Sequence, residues 1–116
     1  MTTSPATLIL DEHAAGTLVR VRPGTRILVR LPSTYWSTPT PSDPRVLAPG
    51  ATRHSPAGSC PPGGGCGTTS ARFTATRPGT TRITAHRSIC GEARRCLPGQ
   101  SGYTVEVTVI GPRAPA

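Results

Sequence analysis

From residue 70 to residue 87 the sequence SARFTATRPGTTRITAHR alternates apolar and polar side chains in two runs separated by one turn signal. Ala71, Phe73 and Ala75 fall on one side of the first run, with Arg72, Thr74 and Thr76 on the other. In the second run Ile83 and Ala85 oppose Arg82, Thr84 and His86. A period of two is that of a strand with one buried face. Between the runs, Arg77-Pro78-Gly79-Thr80 places proline where a type II turn wants φ of roughly −65° and glycine where it wants positive φ. The expectation is a β-hairpin. Cys60 and Cys66 come shortly before it and Cys90 and Cys96 shortly after, so a hairpin would set both cysteine segments at the end opposite its turn.

The same phrase, Arg22-Pro23-Gly24-Thr25, joins two further alternating runs, residues 17–21 and 26–31. In the second of these, Ile27, Val29 and Leu31 should face a core while Arg26, Leu28 and Arg30 face out. Residues 102–110 form the clearest strand, with Tyr103, Val105, Val107 and Val109 inward and Thr104, Glu106 and Thr108 outward. Residues 7–10 and 45–47 are shorter candidates. Residues 32–44 are rich in Pro, Ser and Thr and read as extended loop, with Tyr35 and Trp36 beginning a further strand. Trp36 is expected in the core, as in other sandwiches of this kind, and Tyr35, its alternate neighbour, at the surface. Residues 49–67 read as a long, weakly structured connection.

Fourteen prolines and thirteen glycines work against long helices. Seven or so short strands with no helical periodicity describe an all-β, immunoglobulin-like antiparallel β-sandwich with two disulfide-closed loops at one end. A length of 116 residues fits one domain, here residues 7–110, with residues 1–6 and 111–116 as disordered ends. With both Arg-Pro-Gly-Thr corners at one end, three loops meet at the other. They are the loop of Ser33, Thr34 and Tyr35, the loop of Gly63, Gly64 and Gly65, and the loop of Arg94 and Arg95.

Four cysteines in so small a chain point to disulfides and an oxidising compartment. Cys60/Cys66 and Cys90/Cys96 each enclose five residues, so local pairing would close two rings; other pairings, and a zinc site, stay open. The expected location is secreted or at the cell surface, although no signal sequence is visible. No apolar run approaches membrane-spanning length. The net charge of +8 comes from arginine alone, since the sequence has neither Lys nor Asn, a bias of the kind GC-rich coding produces without selection for a polyanion. Nothing here forms a nucleophile elbow, phosphate loop or carboxylate pair, so no enzyme and no cofactor is expected. The basic faces of the two central strands lack the aromatic platforms of a nucleic-acid site. Arg94 and Arg95 in a short closed loop suit the S1 pocket of a trypsin-like protease, because preorganisation lowers the entropic cost of binding. A solvated loop without partner is the alternative.

Several phrases together resemble a known family. They are Gly16-Thr17 through Leu31-Pro32-Ser33, Tyr35-Trp36, Asp43-Pro44-Arg45-Val46-Leu47, Gly63-Gly64-Gly65, Ala71 through Thr80, and Tyr103-Thr104-Val105-Glu106-Val107. Over residues 16–110 the chain resembles the chagasin-type inhibitors of papain-like cysteine proteases. That resemblance implies an immunoglobulin-like fold and a protease partner contacted by three neighbouring loops: one reading Asn-Pro-Thr-Thr-Gly-Tyr, one rich in Gly, and one carrying Arg-Pro-Trp. Here the first loop is shortened to Ser33-Thr34-Tyr35, the second gains a cysteine, and residues 88–97 replace the third. Ser-Thr-Tyr-Trp with two Cys-x5-Cys loops is also similar to small exported proteins of actinobacteria. Three readings follow: a protease-directed or other extracellular protein-binding domain, a structural surface domain, and a trypsin-type inhibitor. The oligomeric state is left open.

Overall fold

A computed structural model of the chain describes residues 6–56, 66–91 and 94–111. The alternating runs fold as their patterns demand. In β3 (Arg26–Pro32), Ile27, Val29 and Leu31 are buried while Arg26 and Arg30 are exposed; in β10 (Gly102–Val109), Tyr103, Val105, Val107 and Val109 are buried. β6 (Gly67–Ala75) buries Ala71, Phe73 and Ala75, and β7 (Gly79–His86) buries Ile83 and Ala85. These side chains, with Leu10, Val21, Trp36, Val46 and Leu47, make one continuous apolar core. At about 25 cal/mol for each Å² removed from water, it is the main source of stability.

The remaining strands are β1 (Thr7–Leu10), β2 (Leu18–Val21), β4 (Thr40–Pro41), β5 (Leu47–Pro56), β8 (Ile89–Gly91) and β9 (Arg94–Arg95). Two four-stranded sheets, ordered β1-β3-β6-β5 and β2-β10-β7-β4, enclose the core, and β8 and β9 form a separate ribbon. The fold is thus an all-β sandwich. Most neighbours run antiparallel, but β1 lies parallel to β3, and β2 parallel to β10.

Residues 70–87 are not a hairpin. β6 pairs with β3 and β5, whereas β7 pairs with β10 and β4, so the Arg-Pro-Gly-Thr segment carries the chain from one sheet to the other. Alternation gives a strand one apolar face without choosing its partner, and here both faces meet across the core instead of edge to edge. The earlier Arg-Pro-Gly-Thr segment does the same between β2 and β3. The two corners adjoin, since the Gly24 N–H donates to the Ala75 carbonyl at 2.8 Å and the Ala75 N–H to the Thr25 carbonyl at 2.9 Å. Consequently Arg72 and Thr74 stand on one outer face of the sandwich, and Arg82, Thr84 and His86 on the opposite one.

Three further expectations change. Tyr35 and Trp36 lie in a turn, not at the start of a strand; residues 44–46 also turn, and the strand expected there starts only at Leu47. Residues 49–56, expected to be loop, continue that strand along the sheet edge, and Gly67 already belongs to β6. Edge strands tolerate Pro49 and Pro56 because one row of backbone N–H groups needs no partner, and a bulge between Pro49 and Thr52 absorbs an extra residue.

Tyr103 ties the core to the N-terminal segment. Its ring is 2% exposed, and its hydroxyl donates to the Asp11 carbonyl at 3.0 Å. Burial, aided by the negative charge of Asp11, pushes the phenol up to about 12. A phenol that ionises near 10 when unfolded then favours the folded state fully below pH 10, and that contribution is lost as pH rises from 10 to 12. Denaturant midpoints measured across this window should fall for the wild type, and Tyr103→Phe should remove that part of the fall while lowering stability at neutral pH by about 1 kcal/mol.

Candidate loop site opposite the corners

β3 carries the chain away from the corners to Ser33, whose φ of +94° is the single positive value at a non-glycine among the described residues. Such backbone costs about 1–3 kcal/mol and persists only where its surroundings fix it. Three hydrogen bonds do so here. The Ser33 N–H donates to the Gly67 carbonyl at 2.7 Å, the Ser33 carbonyl accepts from Thr69 Oγ1 at 2.9 Å, and Ser33 Oγ accepts from the Tyr35 N–H at 3.0 Å. Ser33→Ala should remove the hydrogen bond between the Tyr35 N–H and Ser33 Oγ and cost about 1 kcal/mol, read as a lower denaturation midpoint with unchanged strand content.

Trp36 anchors the other side of this loop. Its Nε1–H donates to the Pro32 carbonyl at 2.9 Å, and its ring meets Tyr103 edge-on, centroids 6.3 Å apart. The Arg87 guanidinium lies 4.4 Å over the same ring, while Arg87 Nε donates to the Gln100 carbonyl at 3.0 Å. His54 Nε2 donates to the Trp36 carbonyl at 3.0 Å. Ser37 completes the frame, with its N–H donating to the His86 carbonyl at 2.7 Å and its Oγ accepting from the His86 N–H at 2.9 Å. Trp36 is therefore a core residue, 5% exposed, as its place in the sequence suggested. Tyr35 and Thr34 are half-buried rather than fully exposed.

Beyond Arg87 the chain enters the β8–β9 ribbon, in which Ile89 pairs with Arg95 and Gly91 with Arg94. A disulfide joins Cys90 to Cys96. The Cys96 N–H closes onto the Ser88 carbonyl at 3.0 Å. Arg94 and Arg95 are exposed, and so is Leu97 at 65%. Sequence reasoning missed Leu97; an apolar side chain just outside the ring and ahead of Pro98-Gly99 was the available signal. Arg87 and Gln100 were missed too, since nothing in their spacing announces a contact with Trp36.

The structure thus brings together the loop of Ser33, Thr34 and Tyr35, the start of β6, and the foot of the Cys90–Cys96 ribbon. Cys66, next to Gly67, is also disulfide-bonded. Cys60, Gly63, Gly64 and Gly65 lie outside the described residues. Among the described residues no three His, Cys, Asp or Glu side chains form a group able to hold a metal ion, and no helix is long and apolar enough to cross a membrane.

No family description matches the chain, and no curated protein matches its sequence. Solved structures do match its fold. The cysteine protease inhibitor EhICP2 of Entamoeba histolytica superposes with a TM-score of 0.64 at 14% identity, covering 94% of this chain and 100% of that one. The solution structure of amebosin gives 0.58 at 18% identity, with coverage of 91% and 99%.

Proposed function

We propose that this chain is an exported, non-enzymatic domain that blocks the cleft of a papain-like cysteine protease with the three loops opposite its corners. The observation carrying this reading is the frame around residues 33–37, hydrogen-bonded on one side to Gly67 and on the other to His86. Loops held to a rigid sandwich at both flanks lose little entropy on docking. The likeness of the fold to EhICP2, described as a cysteine protease inhibitor, supports the choice of partner class. The disulfides support an oxidising compartment. In this reading Ser33, Thr34 and Tyr35 form the central wedge, Gly63, Gly64 and Gly65 in a ring closed by Cys60 and Cys66 form one flank, and Arg94 and Arg95 the other.

A second reading rests on the ribbon alone. Arg94 and Arg95 are exposed on a strand of two residues closed by Cys90–Cys96, a shape able to present a basic side chain to a trypsin-like protease. One panel decides between these readings. The cleft-blocking reading expects inhibition of papain at or below micromolar concentration, and loss of at least about tenfold when residues 33–35 are replaced by Gly-Ser-Gly in a domain that still folds. The second expects inhibition of trypsin that Arg94→Ala/Arg95→Ala abolishes. Inhibition of neither enzyme leaves a structural surface domain.

A further inference from the structure

Because β6 and β7 belong to different sheets, the arginines of the chain regroup in a way the sequence does not suggest. The outer face of the β1-β3-β6-β5 sheet carries Arg26, Arg30, Arg53 and Arg72, all exposed. Arg72 is the hub. Its register partner on β3 is Leu28, which puts Arg26 and Arg30 diagonally to either side; on β5 the partner of Ser70 is Arg53, diagonal from the other flank. Diagonal neighbours on a sheet stand roughly 7–8 Å apart, so four guanidiniums crowd one patch. No strand of this sheet contributes an acid, and none of the four arginines makes an ion pair among the described residues. The bulge after Pro49 lies opposite Arg72. Gly50 lies so close that a Cβ there would stand 3.3 Å from the Arg72 carbonyl oxygen. Beside it is a depression of about 350 Å³ whose lining includes Arg26, Leu28, Ala51, Arg72 and Thr74. A second one, of about 240 Å³, continues it toward Arg53 and Ser70.

The opposite outer face is a built-in contrast. There Arg20 and Arg82 flank Glu106, which stands directly across from Arg82 and diagonally from Arg20. Composition alone would have spread unopposed charge over both faces.

We infer that the outer face of the β1-β3-β6-β5 sheet binds a linear anionic polysaccharide, its sulfate or carboxylate groups taken by the four arginines. Guanidinium pairs bidentately with both groups, and the hydroxyls of Ser70 and Thr74 between the arginines suit a polyhydroxylated chain. Nucleic acid fits poorly, because Phe73 is buried and the strands of this sheet carry no Tyr or Trp to stack on a base. An acidic peptide would add to a sheet edge, where backbone groups are unpaired, whereas here the charge lies on a face. This site is separate from the loops proposed to meet a protease and stands or falls independently of them.

Heparin, as the probe, tests the inference by titration at fixed ionic strength. Arg30→Gln/Arg72→Gln should weaken binding at least about tenfold, and Arg26→Gln/Arg53→Gln should act alike. Arg20→Gln/Arg82→Gln, which lowers the net charge equally, from +8 to +6, should change it no more than about twofold. All six positions are exposed strand residues, and equal thermal midpoints would verify that folding is intact. Equal weakening by all three double variants would reduce the effect to net charge and overturn the inference. So would tighter binding to a DNA duplex or to vesicles of anionic phospholipid than to heparin, or no heparin binding at low salt.

Discussion

Trp36→Ala is expected to lower the free energy of unfolding by about 3–5 kcal/mol, the range for deleting a buried large aromatic ring. Against the roughly 5–15 kcal/mol that holds a typical domain together, that leaves little reserve. The ring does more than fill volume. It packs edge-on against Tyr103 and underlies the Arg87 guanidinium, and its indole N–H satisfies the Pro32 carbonyl just where the backbone enters the strained Ser33. Alanine therefore opens a cavity at one end of the core and removes the ring's contacts with Tyr103 of β10 and with Arg87, while the Ser37–His86 bonds to β7 remain. Trp36→Phe separates the two effects. It keeps most of the packing but strands the Pro32 carbonyl, a loss of about 1–3 kcal/mol. Urea titrations of the three proteins should rank wild type above Trp36→Phe above Trp36→Ala. A Trp36→Ala midpoint within error of wild type would mean that the ring is not the keystone of this end.

How much of this was readable beforehand depends on what each segment's pattern can encode. The inward sets of β3 and β10 follow from alternation alone, because one buried face fixes which residues are apolar. Sheet membership does not. Ala71, Phe73 and Ala75 would look the same whether β6 met β7 along an edge or across the core, and the turn residues of a hairpin also serve an arch. β5 escaped notice for a different reason: from Pro49 to Pro56 it offers only one small apolar side chain, Ala51, and its pairing with β6 is carried by backbone bonds around a bulge. At the loop end, Trp36 could be placed in the core because sandwiches of this kind bury a tryptophan, whereas five intervening residues made Cys90–Cys96 closure one of several open pairings. The contacts of Arg87 and Gln100 join parts of the chain whose proximity only the folded topology creates. The same holds for the arginine patch, whose four members come from three strands.

Gly79→Ala is expected to cost about 2–4 kcal/mol, whereas Gly24→Ala, in the same four-residue phrase, should cost about 1 kcal/mol. Both glycines have positive φ, +90° at Gly24 and +151° at Gly79, and a residue with a Cβ pays for that conformation at either place. Their surroundings differ. A Cβ on Gly24 would meet nothing within 4 Å, so the corner would bear backbone strain alone. On Gly79 it would stand 2.9 Å from Cγ2 of Val46, a side chain 5% exposed and fixed in the core. Val46 cannot yield without moving the turn that starts β5, where the Val46 and Leu47 N–H groups both close onto the Asp43 carbonyl and Thr76 Oγ1 donates to the Arg45 carbonyl at 2.6 Å. Overpacking of this kind adds about 1–3 kcal/mol to the backbone term. Thermal unfolding of the two variants and of Gly79→Ala/Val46→Ala tests the account. The double variant should be less destabilised than the sum of its single changes, because removing both Val46 methyls makes room for the new Cβ. Additivity would place the whole cost of Gly79→Ala in the backbone and leave the Val46 contact without effect.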